Sequence, residues 1–214
     1  MRDVAALDPT PSGVELRSPV DVHVVLYRRG RILLLRRAPD ASYAAGLLCL
    51  PSGKVEHGED VVTAARRELR EETGVRVDPE GLRCVLVMQQ VSPTGPARIG
   101  WFFVAEAGAG VGVGVEPETE HEAHTVGVAA YNAEPHKHTE LLWIDPAAPP
   151  DDLVAYTRAG LDSIRAGRAH AVHIQRPDDP VRYEPALPSR LLAMPTVGAT
   201  THRTSHQASG RGTR

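Results

Sequence analysis

Lysine is nearly missing from this chain. Of 214 residues only Lys54 and Lys137 are lysine, and arginine supplies the remaining positive charge. With heavy use of alanine, glycine and proline, this imbalance suggests a high-GC bacterial genome and carries no functional weight. Cysteine is as scarce. Cys49 and Cys84 both fall in apolar, strand-like segments, so they read as buried thiols in a reducing compartment, with a disulfide the weaker option. No apolar run is long enough to span a bilayer, and the opening MRDVAALDPTPSG lacks a signal-peptide core. The expected location is the cytoplasm, without a membrane partner. A strong charge of either sign is also absent. The formal net charge of -3 argues against a surface that coats nucleic acid but does not exclude a nucleotide pocket. Hydrophobic residues at 42% and charged residues at 24% fit a soluble globular protein, and the length allows one domain with a sizeable core plus tails.

What is present in quantity is a pattern of glycine and carboxylate between Gly53 and Val75. It reads Gly53-x5-Glu59-x7-Arg67-Glu68-Leu69-x-Glu71-Glu72-x-Gly74-Val75. Glu68, Glu71 and Glu72 stand at i, i+3 and i+4. On a helix these offsets put all three on one face, within about 100° of arc at 3.6 residues per turn. Like charges so close repel by roughly 0.2–0.5 kcal/mol per pair even on an exposed helix. A hard divalent cation is a natural reason to keep them together. Mg²⁺ takes oxygen ligands, keeps several waters and shares its shell with substrate phosphates. The bland alternative is a solvated helix laced with Arg–Glu pairs, since Arg66, Arg67 and Arg70 lie among the acids.

The whole stretch resembles the Nudix box, the signature of the Nudix hydrolase superfamily. Gly53, Glu59, Arg67, Glu68, Glu71, Glu72 and Gly74 meet its fixed positions, with Leu69 and Val75 in its aliphatic slots. The resemblance covers roughly residues 18–175. It implies an α+β fold: an α/β/α sandwich with a mixed β-sheet, the box forming a loop-helix-loop, and a C-terminal helix. It further implies Mg²⁺, with Mn²⁺ as an alternative, held by Glu68, Glu71, Glu72, the Gly53 carbonyl and Glu59. Arg67 would instead fix a neighbouring carboxylate such as Glu59. Glu71 and the downstream Glu140 are candidates for the general base, and Glu134 and His136 are further options. His57 reads as an exposed loop histidine. Trp101 and Tyr43 could stack on a nucleobase, although a core or surface aromatic is the commoner fate.

Strand-like patterns run over 20–27, 31–36, 47–50, 82–91, 98–106 and 140–144, with helices expected after Glu59 or Asp60 and over 151–166. Residues 1–17 read as a flexible lead. Residues 18–175 form the domain, with 107–131 as a loop insertion carrying Glu116, Glu118, Glu120, His121, Glu122 and His124. Residues 176–214 are rich in Pro, Ser, Thr, Gly and Arg and read as a disordered tail.

Under the resemblance the expected activity is Mg²⁺-dependent cleavage of a nucleoside diphosphate linked to another group. A (deoxy)nucleoside triphosphate or damaged nucleotide leads among substrates, and ADP-ribose or a nucleotide sugar stays open. The partner is then a small nucleotide-type molecule rather than nucleic acid, and a homodimer is compatible. A non-catalytic Nudix-like regulatory module is the competing class. Such modules typically lose box carboxylates, and this chain keeps them all.

Overall fold

In the computed structural model the described residues are 17–93, 95–107, 130–187 and 190–193. The expected lead and most of the expected insertion, with its acidic and histidine-rich run, lie outside them.

The chain opens with β1 (Val20–Arg28) and β2 (Arg31–Arg37), joined by a tight turn at Arg29-Gly30. Both turn residues have positive φ, 49° and 75°, a conformation in which glycine carries no Cβ penalty. This hairpin pairs only near its turn, at Tyr27–Ile32 and Arg28–Arg31. It then splays, and the next segment fills the wedge. There β3 (Leu48–Cys49) pairs with β2, β4 (Ser52–Lys54) pairs with β1, and the Val24 amide donates to the Pro51 carbonyl at 2.9 Å. The wedge is what carries the start of the glycine-carboxylate motif onto the middle of the sheet.

The first helix, α1 (Val61–Thr73), follows directly. Of the two expected caps it is Asp60 that caps it, its side chain accepting from the Val62 and Thr63 amides at 2.8 and 3.0 Å. Gly74 ends it in the left-handed conformation, with φ of 70°. Two long strands, β5 (Arg83–Val91) and β6 (Arg98–Glu106), form an antiparallel pair, and β6 runs parallel to β1. Further along, β7 (His138–Ile144) pairs with β2, and α2 (Ala155–Arg165), β8 (His170–Ile174) and β9 (Leu191–Ala193) follow. The main strand order is β3-β2-β1-β6-β5-β8-β9, with both parallel and antiparallel neighbours.

Side chains along β1 alternate between two faces. Gly53 pairs with Val22, and the space above Gly53 is filled by the Glu68 carboxylate, so α1 covers the Val22 face. His23 on the next position stacks on Phe102 and lies beside Tyr156, so α2 covers the other face. The core fills both layers: Val22, Val24, Leu26, Leu34, Leu50 and Leu69 are wholly buried, as are Phe102 and Ala159. This is the expected sandwich of a mixed sheet between helices.

Four expectations change. The second helix starts at Ala155, not near Asp151, because Leu153 and Val154 are drawn into extended pairing: the Leu48 amide donates to Asp152 and the Val154 amide to Leu48, both at 2.9 Å. The tail after Gln175 is not wholly loose. Tyr183 donates its amide to Leu153 at 2.7 Å, Ala155 donates to Val181 at 2.7 Å, and β9 pairs with β8. Its Pro-rich composition hid these backbone pairings, which need no apolar periodicity. Cys49 is buried and burial pushes its thiol up to about 12, whereas Cys84 is exposed. Cys84 lies beside a register shift in the β5–β6 pair that breaks simple alternation. Both thiols are free, as expected. Short strands β4, β8 and β9 were not anticipated.

Candidate active site and metal centre

The three helix carboxylates are graded from solvent inward. Glu71 is the most open, Glu68 is mostly covered, and Glu72 is buried at 5% exposure. Their spacing carries this grading, since the helix turns Glu72 towards the sheet along with Ala65 and Leu69. Glu72 Oε2 accepts the Ser52 amide of β4 at 2.8 Å. Burial nonetheless dominates, and the Glu72 carboxyl is pushed up to about 8. Glu68 is also shifted upward, first by burial and against the pull of Arg67.

Arg67 organises the outer part of the group. Its Nε and Nη2 donate to the two oxygens of Glu59 at 2.9 and 3.0 Å, a two-point contact that fixes the carboxylate in plane. Its Nη1 donates to Glu68 at 2.8 Å and to Glu71 at 3.2 Å, and Nη2 also reaches the Lys54 carbonyl at 3.0 Å. The expected Glu59 contact is present. The reach to Glu68 is wider than adjacency on a helix suggested, because a guanidinium on a long stem can fold back across its neighbour. Glu59 is held below the usual carboxylate range by Arg67, and Arg67 itself is shifted upward by Glu59. Gly53 is needed for a steric reason: a Cβ there would collide with the Glu68 carboxylate.

The chain returns to this group at Tyr131. Tyr131 and Ala133 donate their amides to the Thr73 and Glu72 carbonyls at 2.9 and 3.2 Å, which anchors the segment on the end of α1. Pro135 opens a turn in which the Lys137 and His138 amides both donate to the Glu134 carbonyl. That turn brings Glu134 and His138 to Glu72. One ligand atom from each of the three lies within 4.8 Å of the other two, and His138 Nε2 is 3.6 Å from Glu72 Oε1. Burial holds the His138 imidazole down at about 4. The sequence offers Glu134 as a base and does not single out His138. The signal was present as Glu and His four apart around a proline turn, but the turn's docking on α1 depends on tertiary contacts.

The donor set fits a divalent ion. Glu134 Oε2, His138 Nδ1 and Asn132 Oδ1 are buried with no hydrogen-bond partner, an arrangement that stays costly until something polar or charged meets it. Oxygen donors dominate, as Mg²⁺ and Mn²⁺ prefer.

Glu140 is placed elsewhere. It lies opposite Arg36 in the β2–β7 pair and accepts from Arg36 Nε at 2.8 Å, while Arg36 Nη1 donates to Asp152 at 2.7 Å. Among the described residues no hydrogen bond or ion pair joins Glu140 to Glu68, Glu71 or Glu72. His57 and His136 are exposed, Trp101 is partly buried against the core, and Tyr43 is exposed.

The sequence matches the NUDIX domain family model over residues 17–152. The chain belongs to the Nudix hydrolase family. This Nudix chain is 32% identical over 106 residues to the human 8-oxo-dGDP phosphatase NUDT18, a match that covers 48% of the chain and only 30% of that relative. Its fold resembles the MutT NUDIX hydrolase of Burkholderia pseudomallei, with a TM-score of 0.54 and 26% identity over 68% of this chain and 97% of the other. The MutT protein of Bacillus halodurans matches at a TM-score of 0.54 and 18% identity, over 83% and 99% of the two chains, which speaks for the fold alone. Among the described residues no helix is long and apolar enough to cross a membrane.

Proposed function

We propose that this Nudix protein is a Mg²⁺-dependent pyrophosphohydrolase that cleaves a phosphoanhydride bond in a (deoxy)nucleoside triphosphate or a damaged nucleotide. The observation that carries the reading is the meeting of Glu72 from α1, the helix that also lays Glu68 over Gly53, with Glu134 and His138 from the later turn. Arg67 holds Glu68 and Glu71 and the Ser52 amide holds Glu72, while Glu134 Oε2 and neighbouring buried polar atoms are left unpaired. The human relative's name, an 8-oxo-dGDP phosphatase, supports a nucleotide substrate of the oxidised class. Retention of every box carboxylate speaks against a regulatory module without catalysis.

The residues divide the work by exposure. Glu68, Glu72 and Glu134 would hold the ion, with the Gly53 carbonyl and Glu71 beside them. When bound, a divalent ion neutralises phosphate charge and lowers the pKa of an attacking water. Glu71, the most open helix carboxylate, would take that water's proton. Arg67 fixes Glu59 and Glu68, so that the carboxylates meet the reaction in a set geometry. We assign Glu140 to bracing β2 against β7 through Arg36 rather than to catalysis. Residues 18–175, with residues 181–183 and 190–193 paired onto them, form the domain.

The test is a substrate panel with Mg²⁺: canonical and oxidised deoxynucleoside di- and triphosphates, ADP-ribose, NADH and dinucleoside polyphosphates, scored by product mass. Cleavage of an oxidised or canonical deoxynucleotide, abolished by EDTA and restored by Mg²⁺ or Mn²⁺, is the expected result. Preferred turnover of ADP-ribose would move the substrate class. Full turnover in chelator would end the metal-dependent reading.

A further inference from the structure

One of the chain's two lysines lies beside the carboxylate cluster. Lys137 Nζ lies 2.7 Å from Glu134 Oε1. The other oxygen of Glu134, Oε2, is buried and unpartnered. Exposure falls steeply inward along this line: the Lys137 side chain is 52% exposed, Glu134 17%, and His138 1%. Lys137 therefore stands on the solvent side of the carboxylates, and Glu134 stands between its ammonium and the buried atoms. Its charge also acts on Glu68 and Glu72, favouring their ionised forms. The other cations nearby are committed differently. Arg67 is divided among three carboxylates and a carbonyl, and among the described residues Arg70 pairs with Glu71, at 3.8 Å.

Resting on the pyrophosphohydrolase reading above, we propose that Lys137 is a substrate-binding residue whose ammonium serves two partners in turn. Without the ion it neutralises the carboxylate cluster through Glu134; with the ion and a nucleotide present it contacts a phosphate oxygen. A lysine suits this better than an arginine, because an ammonium is a compact point charge on a flexible stem rather than a planar fork locked to one carboxylate. A single partly exposed ion pair is weak, so release from Glu134 is inexpensive. Substrate approaching from solvent meets Lys137 before it meets the buried carboxylates.

Two consequences of opposite sign follow. Removing the ammonium removes a competitor of the divalent ion, so metal binding tightens. It also removes a phosphate partner, so nucleotide binding weakens. A residue that only supported the turn would weaken both.

The experiment compares the full-length protein with Lys137→Gln and Lys137→Arg. Mn²⁺ binding without nucleotide is followed by electron paramagnetic resonance. Binding of an α,β-methylene deoxynucleoside triphosphate is followed by calorimetry in saturating Mg²⁺. For Lys137→Gln, Mn²⁺ affinity should rise and analogue affinity should fall, each by at least about threefold, near the upper range for one partly exposed ion pair. KM should rise more than kcat falls. Lys137→Arg should recover much of the analogue affinity. Unchanged or weaker Mn²⁺ binding in Lys137→Gln would overturn the counter-cation role, and unchanged analogue affinity would overturn the phosphate contact. The Mn²⁺ arm reads Lys137 even if the wild-type protein cleaves nothing in the substrate panel. Failure of the enzyme reading is thus distinguishable from failure of this one.

Discussion

The buried carboxylate of Glu72 and the backbone amide of Ser52 meet at 2.8 Å, joining the inner end of α1 to the strand that carries Gly53. This contact couples fold and chemistry. It sets where α1 sits on β1 and β4, and it leaves Glu72 Oε1 facing His138 and Glu134. Glu72→Gln preserves the shape and one acceptor while removing the charge. We expect the circular dichroism spectrum to be retained and kcat to fall by roughly 10²–10⁴, the range for one preorganised electrostatic or acid-base element. A fall below about threefold in a folded variant would remove Glu72 from the machinery, since each 1.36 kcal/mol of lost transition-state stabilisation is a factor of ten.

Gly53 supports a second prediction. The Glu68 carboxylate fills the space that a Cβ would occupy. Gly53→Ala must push that carboxylate aside and strain its 2.8 Å bond to Arg67. Activity should drop at least about tenfold, because small displacements of positioned groups are expensive in rate. Full activity in Gly53→Ala would show that Glu68 need not sit over the glycine.

Legibility followed the range of the interaction. The box, the Asp60 cap region and the Gly74 stop depend on neighbours in sequence, and they were readable. So was the pairing of Arg67 with Glu59, eight residues apart across one loop and two helical turns. The approach of His138 and Glu134 to Glu72 was not readable, because their turn is brought to α1 by amide bonds from Tyr131 and Ala133 and not by sequence neighbours. The Arg36 partner of Glu140 was hidden for the same reason. A strand-end carboxylate downstream of the box looked available, but the β2–β7 register places it opposite Arg36. Register between strands over 100 residues apart is set by the whole sheet.

The buried titratable groups predict a peaked stability curve for the metal-free protein. His23 and His138 are both held at about 4 by burial, against 6.5 for a free imidazole. Folded, they stay neutral, while the unfolded chain protonates them. Their contribution is complete above about pH 6.5 and is lost as pH falls towards 4, up to about 3 kcal/mol for His23 alone. Glu72 acts in the opposite sense. Its folded carboxyl titrates at about 8, against 4.5 unfolded, so its contribution is complete below 4.5 and is lost as pH rises through 8. Thermal melts in EDTA should therefore peak near pH 6.5. His23→Phe should flatten the acid arm, since that ring already stacks on Phe102. Mg²⁺ should flatten the alkaline arm and release protons on binding near neutral pH, because a ligating carboxylate must be ionised. An alkaline arm that ignores Mg²⁺ would separate Glu72 from the metal site.

The last prediction concerns the segment after Gln175. Composition alone makes it dispensable, yet the structure ties it to the domain at several points. The Tyr183 amide bonds to Leu153, and its ring lies under the Arg158 guanidinium at 4.3 Å from the centroid. The Ala155 amide at the start of α2 bonds to Val181, Arg190 pairs with Asp179 at 3.1 Å, and β9 covers the edge of β8. Truncation after Gln175 removes these contacts and leaves β8 with an open row of backbone donors and acceptors, a recognised route to association. Truncation after Ala193 keeps them. The shorter chain should melt at least about 4 °C lower, the shift that 1–2 kcal/mol produces in a domain of this size, and should aggregate more readily. The longer truncate should melt close to the full chain. Metal dependence should survive in both, because Glu68, Glu72, Glu134 and His138 all lie upstream. Equal melting temperatures for the two truncates would mean that these pairings contribute nothing, and the domain boundary would return to Gln175.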